Sequence, residues 1–202
     1  MAGDGFRLAQ NLFARGEVYF ATPAEFNDPG EGAFRFSWPG NPYEGMAADY
    51  YSREARERTG ILSLSARPND VLMWSHYSNS HQGLCVGFST SMQPFAGAKE
   101  VVYSENLPML LASPHVGAEA LIEAACLSKA AQWSYEREWR IVRRPGLCLV
   151  PREAVVEVIL GFRIPGELQW WAKEWTRIYV PHAKILRAVL SEGSYQMQLV
   201  EA

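Results

Sequence analysis

The stretch Val-Val-Glu-Val-Ile-Leu at residues 155–160 decides the fold that this sequence predicts. Almost every residue in it is apolar or β-branched, and such a run is typical of a strand that is buried on both faces. It therefore predicts a central strand of the sheet. A Trp-rich helix at residues 167–176 follows it. Two further strands, at 185–190 and 195–200, are expected to form an antiparallel pair around a Glu-Gly turn.

Upstream of this strand, short hydrophobic runs alternate with helical patterns and turn residues. Gly16 and Gly60 end two of the predicted helices, and Asn69 is expected to cap a third. Strands outnumber helices, and most neighbouring strands are predicted to be antiparallel, which indicates an α+β fold. We therefore expect a single domain over residues 1–202, with flanking helices on a mostly antiparallel sheet that is bent or split. The predicted helices cover residues 6–14, 43–58, 71–77 and 118–132, and the predicted strands cover 17–21, 33–38, 61–65, 84–88, 100–103 and 135–142.

The composition is that of a globular protein, and it argues against several classes. The chain has 202 residues, of which 48% are hydrophobic, enough for one ordinary domain with a core. Its formal net charge of -3 gives no general attraction to nucleic acid or to an anionic membrane. The sequence shows no signal-peptide pattern and no apolar run of membrane-spanning length, so we expect a cytoplasmic protein without a membrane partner. Cys85, Cys126 and Cys148 are too few and too scattered for a disulfide framework.

The densest group of polar and aromatic side chains is Trp-Ser-Tyr-Glu-Arg-Glu-Trp-Arg at residues 133–140. On a strand, side chains alternate between faces, so Glu136, Glu138 and Arg140 would share one face. Two neighbouring carboxylates repel, and one of them could carry a raised pKa suited to acid–base catalysis. Arg140 could counter that shift or clamp a phosphate, with Lys129 nearby. The alternative is an edge strand with ordinary surface ion pairs.

A second group is Trp-Ser-His-Tyr at residues 74–77, which is followed by His81. On a helix, Trp74 and Tyr77 share a face. His76 is expected either to bind a ligand or to hydrogen-bond a backbone carbonyl. A zinc site with Cys85 is not predicted, because no second Cys/His pair has ligand spacing.

The third group is Phe-Asn-Asp-Pro-Gly-Glu at residues 26–31, and its Asn-Asp-Pro-Gly sequence strongly favours a turn. One interpretation is a rigid loop around a buried Phe26. The functional interpretation places Asn27, Asp28 and Glu31 at the mouth of a pocket.

Taken in order, these motifs resemble a widespread family of uncharacterised bacterial and phage proteins, known only as a domain of unknown function. Members of that family resemble abortive-infection (phage-resistance) proteins, so the resemblance implies a role in phage defence. The family pattern matches this chain at residues 26–29, 74–77, 81–83, Lys129, Trp133, 135–140 and 158–161.

The chain also resembles ADP-ribosyltransferase folds, in a helix that ends at Gly16 before a short strand and in the Glu-x-Glu of residues 136–138. That resemblance implies a split sheet that binds NAD in a cleft, with a catalytic glutamate on a late strand. Either glutamate would hold a ribose hydroxyl and stabilise an oxocarbenium-like transition state. By the same resemblance, Tyr77 or Trp74 would stack on nicotinamide, and His76, Arg140 and Asn27 would hold ribose or phosphate oxygens.

Our leading prediction is an NAD-using, ADP-ribosyltransferase-like effector of a bacterial defence or toxin system. NAD or another nucleotide is the expected ligand, and an unknown protein or nucleic acid the expected acceptor. A non-enzymatic module that senses a nucleotide or a partner is the first alternative, and a metal-dependent nuclease that uses Glu136, Glu138 and Asp28 is the second. The predicted catalytic residues are Glu138, Glu136 and His76, and the predicted ligand-binding residues are Asn27, Asp28, Trp74, Tyr77, His81, Lys129, Tyr135 and Arg140.

Overall fold

The computed structural model describes residues 3–113 and 115–202. Within these ranges the chain forms five α-helices and thirteen strands. The helices are α1 (Gly3–Arg15), α2 (Glu44–Arg53), α3 (Val71–Tyr77), α4 (Ala118–Cys126) and α5 (Gly166–Tyr179). The strands are β1 (Glu17–Phe20), β2 (Arg35–Ser37), β3 (Gly60–Ser65), β4 (Leu84–Phe88), β5 (Lys99–Glu100), β6 (Val102–Ser104), β7 (Met109–Leu111), β8 (Ser128–Ala130), β9 (Glu138–Arg143), β10 (Gly146–Leu149), β11 (Val155–Leu160), β12 (Lys184–Leu190) and β13 (Met197–Glu201).

These elements fall into two compact units. The first unit contains the residues up to Val18, together with Arg67–Gly97 and Cys148–Ala202. The second unit contains Tyr19–Ala66 and Ala98–Leu147. The predicted α+β class is confirmed, because helices combine with several mostly antiparallel sheets. The single domain over residues 1–202 stays a prediction.

The first unit is built on a four-stranded sheet in the order β13-β12-β11-β4. β11 is parallel to β12 and antiparallel to β4, and β12 and β13 form the predicted antiparallel pair. On β11, Val158 packs with Phe13 and Trp175 from α1 and α5. The next residue, Ile159, packs in a separate cluster with Trp74 of α3. The prediction of a central strand buried on both faces is therefore confirmed.

Two helix ends of this unit were predicted from the sequence; one prediction is confirmed and the other is corrected. Gly16 ends α1 as predicted, with a φ of 68° and an N–H that donates to the Leu12 carbonyl at 3.0 Å. The prediction that Asn69 caps α3 is wrong. Asp70 is the cap, and its Oδ1 accepts hydrogen bonds from the N–H groups of Leu72 and Met73. Asn69 instead donates from Nδ2 to a backbone carbonyl of β13, at 3.2 Å.

The second unit contains the three-stranded antiparallel sheet β3-β9-β5 and two parallel strand pairs, β2–β7 and β6–β8. Its α2 helix continues into a π-helical turn at Glu54–Arg58 before β3 begins. Its core is formed by the buried residues Ala55, Ile61, Leu110, Leu121, Ala125 and Cys126.

Three predicted elements of this unit are corrected. The helix predicted over residues 118–132 ends at Cys126, because the following segment pairs as β8 with β6. The strand predicted over 100–103 is two strands, since β5 pairs with β9 and β6 pairs with β8. The strand predicted over 135–142 begins only at Glu138, because Ala131–Glu136 forms a 3₁₀ helix that ends at a left-handed Arg137.

Among the helices of residues 3–113 and 115–202, none is both long and apolar enough to cross a bilayer. The predicted cytoplasmic location stays a prediction.

Candidate functional site

The second unit buries a cluster of five charged side chains, which we call the charged cluster. Its members are Glu31, Lys129, Glu136, Glu138 and Arg140, and none of their side chains is more than 5% exposed. Charged side chains are rarely buried to this degree unless they are paired. The contacts within the cluster therefore decide what it can do.

Arg140 lies at the centre of the charged cluster. Its guanidinium donates to both oxygens of Glu138, from Nε at 2.7 Å and from Nη2 at 2.9 Å. It also donates to both oxygens of Glu31, from Nη1 at 2.8 Å and from Nη2 at 2.7 Å. The remaining Nη1 bond goes to the backbone carbonyl of Cys126 at 2.6 Å. All five N–H groups of the guanidinium therefore have an acceptor.

Lys129 joins the two glutamates of the Glu-x-Glu motif. Its Nζ atom donates to Glu136 Oε2 at 2.5 Å and to Glu138 Oε2 at 3.0 Å. It lies 3.6 Å from Glu31 Oε1 and 5.0 Å from the centre of the Trp133 ring. One ammonium thus contacts all three carboxylates, whose mutual repulsion it reduces.

Local backbone geometry brings these groups together. Glu138 and Arg140 project from the same face of β9, because residues two apart on a strand share a face. Glu136 lies before the strand, and the left-handed turn at Arg137 directs it to the same lysine. The Glu136 carbonyl accepts a bond from the Ser65 hydroxyl at 2.8 Å, and the Glu138 N–H donates to the Tyr103 hydroxyl at 2.8 Å.

The contacts within the charged cluster favour the ionised forms of Glu138, Lys129 and Arg140. Burial opposes the charge of Glu138, but Arg140, Lys129 and Ser63 together outweigh it and lower the pKa of that carboxyl. Burial also opposes the charge of Lys129 and Arg140, and the contact with Glu138 leads the effects that raise the pKa of both. Arg140 therefore counters the upward shift that burial alone would give the pKa of Glu138.

A small cavity of about 100 Å³ lies beside the charged cluster, within the second unit. Lys129 and Asp28 both line it. Asp28 Oδ1 accepts a hydrogen bond from the Gly30 N–H at 2.8 Å, which fixes the turn that carries Glu31. The other lining residues come from the turn itself, the loop after β6 and the strand β8: Gly30, Ala33, Ser104, Glu105, Asn106, Leu107, Pro108, Ser128 and Ala130.

The other predicted site residues of the second unit lie around this cluster. Asn27 is exposed, and Phe26 is half-buried with its ring centre 5.8 Å from the Arg140 guanidinium carbon. Tyr135 is half-buried, and its ring centre lies 6.1 Å from that of Trp133. Sequence reasoning therefore identified this neighbourhood, but it missed Tyr103 and the central part that Glu31 plays.

The predicted site residues at 74–81 lie in the first unit. Trp74 is buried and donates from Nε1 to the Pro68 carbonyl at 2.7 Å. His76 and Tyr77 are exposed, and their ring centres lie 6.3 Å apart. Their convergence with the charged cluster around one hollow stays a prediction.

His81 has an unusual local environment. It is the last of three consecutive left-handed residues, Asn79, Ser80 and His81. Its buried Nδ1 atom has no hydrogen-bond partner within the described part of the chain. Burial, followed by the charge of Arg163, lowers the pKa of this imidazole, so the ring is held in its neutral form at neutral pH.

Across residues 3–113 and 115–202, no three or more His, Cys, Asp or Glu side chains are arranged to hold a metal ion.

Comparison with protein families gives one match. Residues 73–141, about a third of the chain, match the family described as "Protein of unknown function (DUF2971)". The match runs from α3 through β9, so it includes the Trp-Ser-His-Tyr helix, Lys129 and the Glu-x-Glu motif. It supports the predicted resemblance to an uncharacterised family over this part of the chain. Comparisons with curated proteins and with solved structures found no significant match.

Proposed function

We propose that this chain is an NAD-using, ADP-ribosyltransferase-like effector, and that it acts in a bacterial defence or toxin system. The observation that supports this most is the pair Glu136 and Glu138, both bound by Lys129, which itself lines the small cavity. A lowered pKa keeps Glu138 ionised at neutral pH. The charge needed for the reaction is therefore in place before a substrate binds.

The chemistry requires a negative charge close to the reacting sugar. In the reaction, the bond between ribose C1′ and the nicotinamide nitrogen breaks, and the electron pair leaves with nicotinamide. An acceptor nucleophile forms the new bond to C1′ and loses its proton. The sugar is cationic in between, and a carboxylate fixed in a site of low dielectric stabilises that charge better than water does. We assign this part to Glu138, and we assign the binding of ribose hydroxyls to Asp28 and Glu136.

Arg140 and Glu31 would act as positioning residues in this proposal. Arg140 fixes both oxygens of Glu138, and Glu31 in turn fixes Arg140. A carboxylate held on two sides loses little rotational freedom when substrate binds, which favours a pre-organised site.

The proposal is tested by incubating the protein with NAD labelled on the adenylate part in a bacterial lysate. We expect the wild type to transfer label to macromolecules and Glu138→Gln to abolish the transfer. Asp28→Asn, which alters the cavity wall at a half-buried position, should reduce transfer while circular dichroism stays unchanged. Glu174→Gln, on the exposed face of α5, is the matched control and should retain activity.

Two results separate the rival functions. Absence of labelling together with absence of NAD binding in calorimetry, for the wild type, would contradict the proposal. Saturable NAD binding without turnover would favour the alternative of a non-enzymatic sensor.

A specific observation favours the sensor as second candidate. Both oxygens of Glu138 already accept hydrogen bonds from Arg140, and Oε2 also accepts one from Lys129. The same contacts weaken the nuclease alternative, because two cations take the carboxylate oxygens that a divalent metal would use.

A further inference from the structure

The first unit contains a larger cavity that no predicted function uses. Its volume is about 370 Å³, and it lies between the segment that begins α3 and the turn that joins β12 to β13. It is lined by Arg67, Asn69, Asp70, Val71, Tyr195, Gln196 and Met197. Its volume lies at the lower end of the roughly 300–1,000 Å³ range of small-molecule sites, which suits one compact ligand.

One wall of this cavity is an aromatic ring in solvent. Tyr195 is 98% exposed, although tyrosine usually buries much of its ring. The turn that presents it is well ordered by hydrogen bonds, since the Ser191 N–H donates to the Gln196 carbonyl at 2.8 Å. The Gln196 N–H also donates to the Ser194 hydroxyl at 3.1 Å. The backbone of this turn is therefore ordered, and it presents the ring to solvent, where a planar ligand can stack on it.

The other lining residues are mostly polar. Asn69 is fixed by its bond to the Met197 carbonyl, which leaves its side-chain carbonyl oxygen as an acceptor. Asp70 is fixed because its Oδ1 caps α3. Arg67 supplies the positive charge in the lining. The floor is apolar, since Met197 is buried and packs in the same cluster as Trp74.

We propose that this cavity binds a nucleoside monophosphate. The base would stack on Tyr195, and the amides of Asn69 and Gln196 would contact its edge. The ribose hydroxyls would bond the Asp70 carboxylate, and Arg67 would bind the phosphate in the planar, paired geometry that guanidinium groups offer. The inference is independent of the proposed transferase function, because every residue in it lies in the first unit.

The test is calorimetric titration of the full chain with AMP, with adenosine and with ribose 5-phosphate. AMP should bind more tightly than either fragment, because it alone has both the base and the phosphate. Tyr195→Ala should weaken AMP binding about fivefold or more, whereas Tyr195→Trp should preserve it, since the stacking surface remains. Arg67→Gln should weaken AMP binding and leave adenosine binding unchanged.

The controls place the site and separate it from the transferase proposal. Tyr43→Ala removes another exposed tyrosine, in the second unit, and should not affect AMP binding. Glu174→Gln, the control of the transferase test, should also leave AMP binding unchanged. The proposal is overturned if wild type fails to bind AMP at millimolar concentration, or if Tyr195→Ala and Arg67→Gln bind it as wild type does.

Discussion

Arg140 has no exposed surface, yet it carries a full positive charge. Such a charge is tolerated in the protein interior only when its attraction to partners repays the loss of hydration. Here two carboxylates and one backbone carbonyl accept all its N–H groups. The consequence is asymmetric: the intact cluster adds modest net stability, whereas removing one partner leaves a buried charge without compensation.

Glu31→Gln tests this directly. The amide keeps the shape of the side chain but removes one of the two charges that compensate Arg140. We expect the free energy of unfolding to fall by about 3 kcal/mol, as for other buried ion pairs that lose one partner. Urea denaturation measures the change.

Glu174→Gln is the matched control for that experiment. It removes the carboxylate of the exposed pair with Arg177, and exposed pairs contribute little to stability. A loss in Glu31→Gln no larger than in this control would show that Arg140 does not depend on Glu31.

Glu138 gives a pH dependence with a defined sign. Its pKa is lowered in the folded state, because the contacts with Arg140, Lys129 and Ser63 outweigh burial. A carboxyl with a lowered folded pKa stabilises the fold above its unfolded value of about 4.3, and this contribution is lost as the pH falls through the folded pKa. The difference in unfolding free energy between wild type and Glu138→Gln should therefore be largest near pH 7 and shrink below about pH 4. Urea titrations at pH 7, 5, 4 and 3 measure it. A difference that grows towards acid pH would contradict the assignment.

At the level of elements, the end of β11 depends on the absence of a side chain at Gly161. A Cβ atom there would collide with the His81 carbonyl oxygen and lie 2.7 Å from that of Gly83. The same backbone is hydrogen-bonded, since the Gly161 N–H donates to the Gly83 carbonyl at 3.0 Å. The left-handed turn at His81 is thus packed directly against the strand end.

Gly161→Ala should therefore destabilise the protein by about 2–3 kcal/mol, because backbone atoms on both sides must shift. Thermal and urea unfolding measure the loss. Gly166→Ala is the control, since a Cβ at Gly166 meets no atom within 4 Å and alanine favours the helix that begins there. Equal stability of the two variants would show that the close approach is not rigid.

The pattern of apolar residues along the sequence predicted helices and strands correctly where their burial depends on nearby residues alone. The run at residues 155–160 gave β11, and the glycine at 16 gave the end of α1. Prediction failed where a distant segment competes for the backbone. The helical pattern of residues 127–132 is apolar enough to continue α4. The helix ends before it, because residues 128–130 pair as strand β8 with β6. Nothing within those residues signals that pairing.

The same limit applies to the candidate site on the scale of the whole molecule. Glu138, Glu136, Arg140 and Lys129 were identified because they are close in sequence. Glu31 lies 109 residues from Arg140, and only the fold shows that they form a paired contact. Trp74, His76 and Tyr77 are linked to them only by the resemblances to known families, and no sequence pattern shows that they lie close in space.

Each of the two units is expected to contain its own set of slowly exchanging backbone amides. In the first unit, the slowest should be those of β11, which is paired on both edges. In the second unit, they should be those of β9, which lies between β3 and β5. Helix α2 has no buried residue, whereas α5 buries Ala172, Trp175 and Thr176.

Amides of α2 should therefore exchange at least ~100-fold faster than those of α5, because little packing opposes local opening. Hydrogen exchange followed by NMR or mass spectrometry gives the comparison between two helices of one protein. Protection of α2 equal to that of α5 would mean that something covers α2 in solution.

Arg137, at the junction of the 3₁₀ helix and β9, has a φ of 46° and a ψ of 52°. If the strand continued through this residue, the side chains of Glu136 and Glu138 would be spaced roughly 7 Å apart along one face. The left-handed backbone conformation of Arg137 instead allows the Lys129 ammonium to hydrogen-bond both Glu136 and Glu138. The positive φ at residue 137 therefore governs the spacing of the two carboxylates. A D-arginine introduced by chemical ligation favours this φ and would preserve the contact between Lys129 and Glu136. Valine is β-branched and disfavours it, so that Arg137→Val would break this contact.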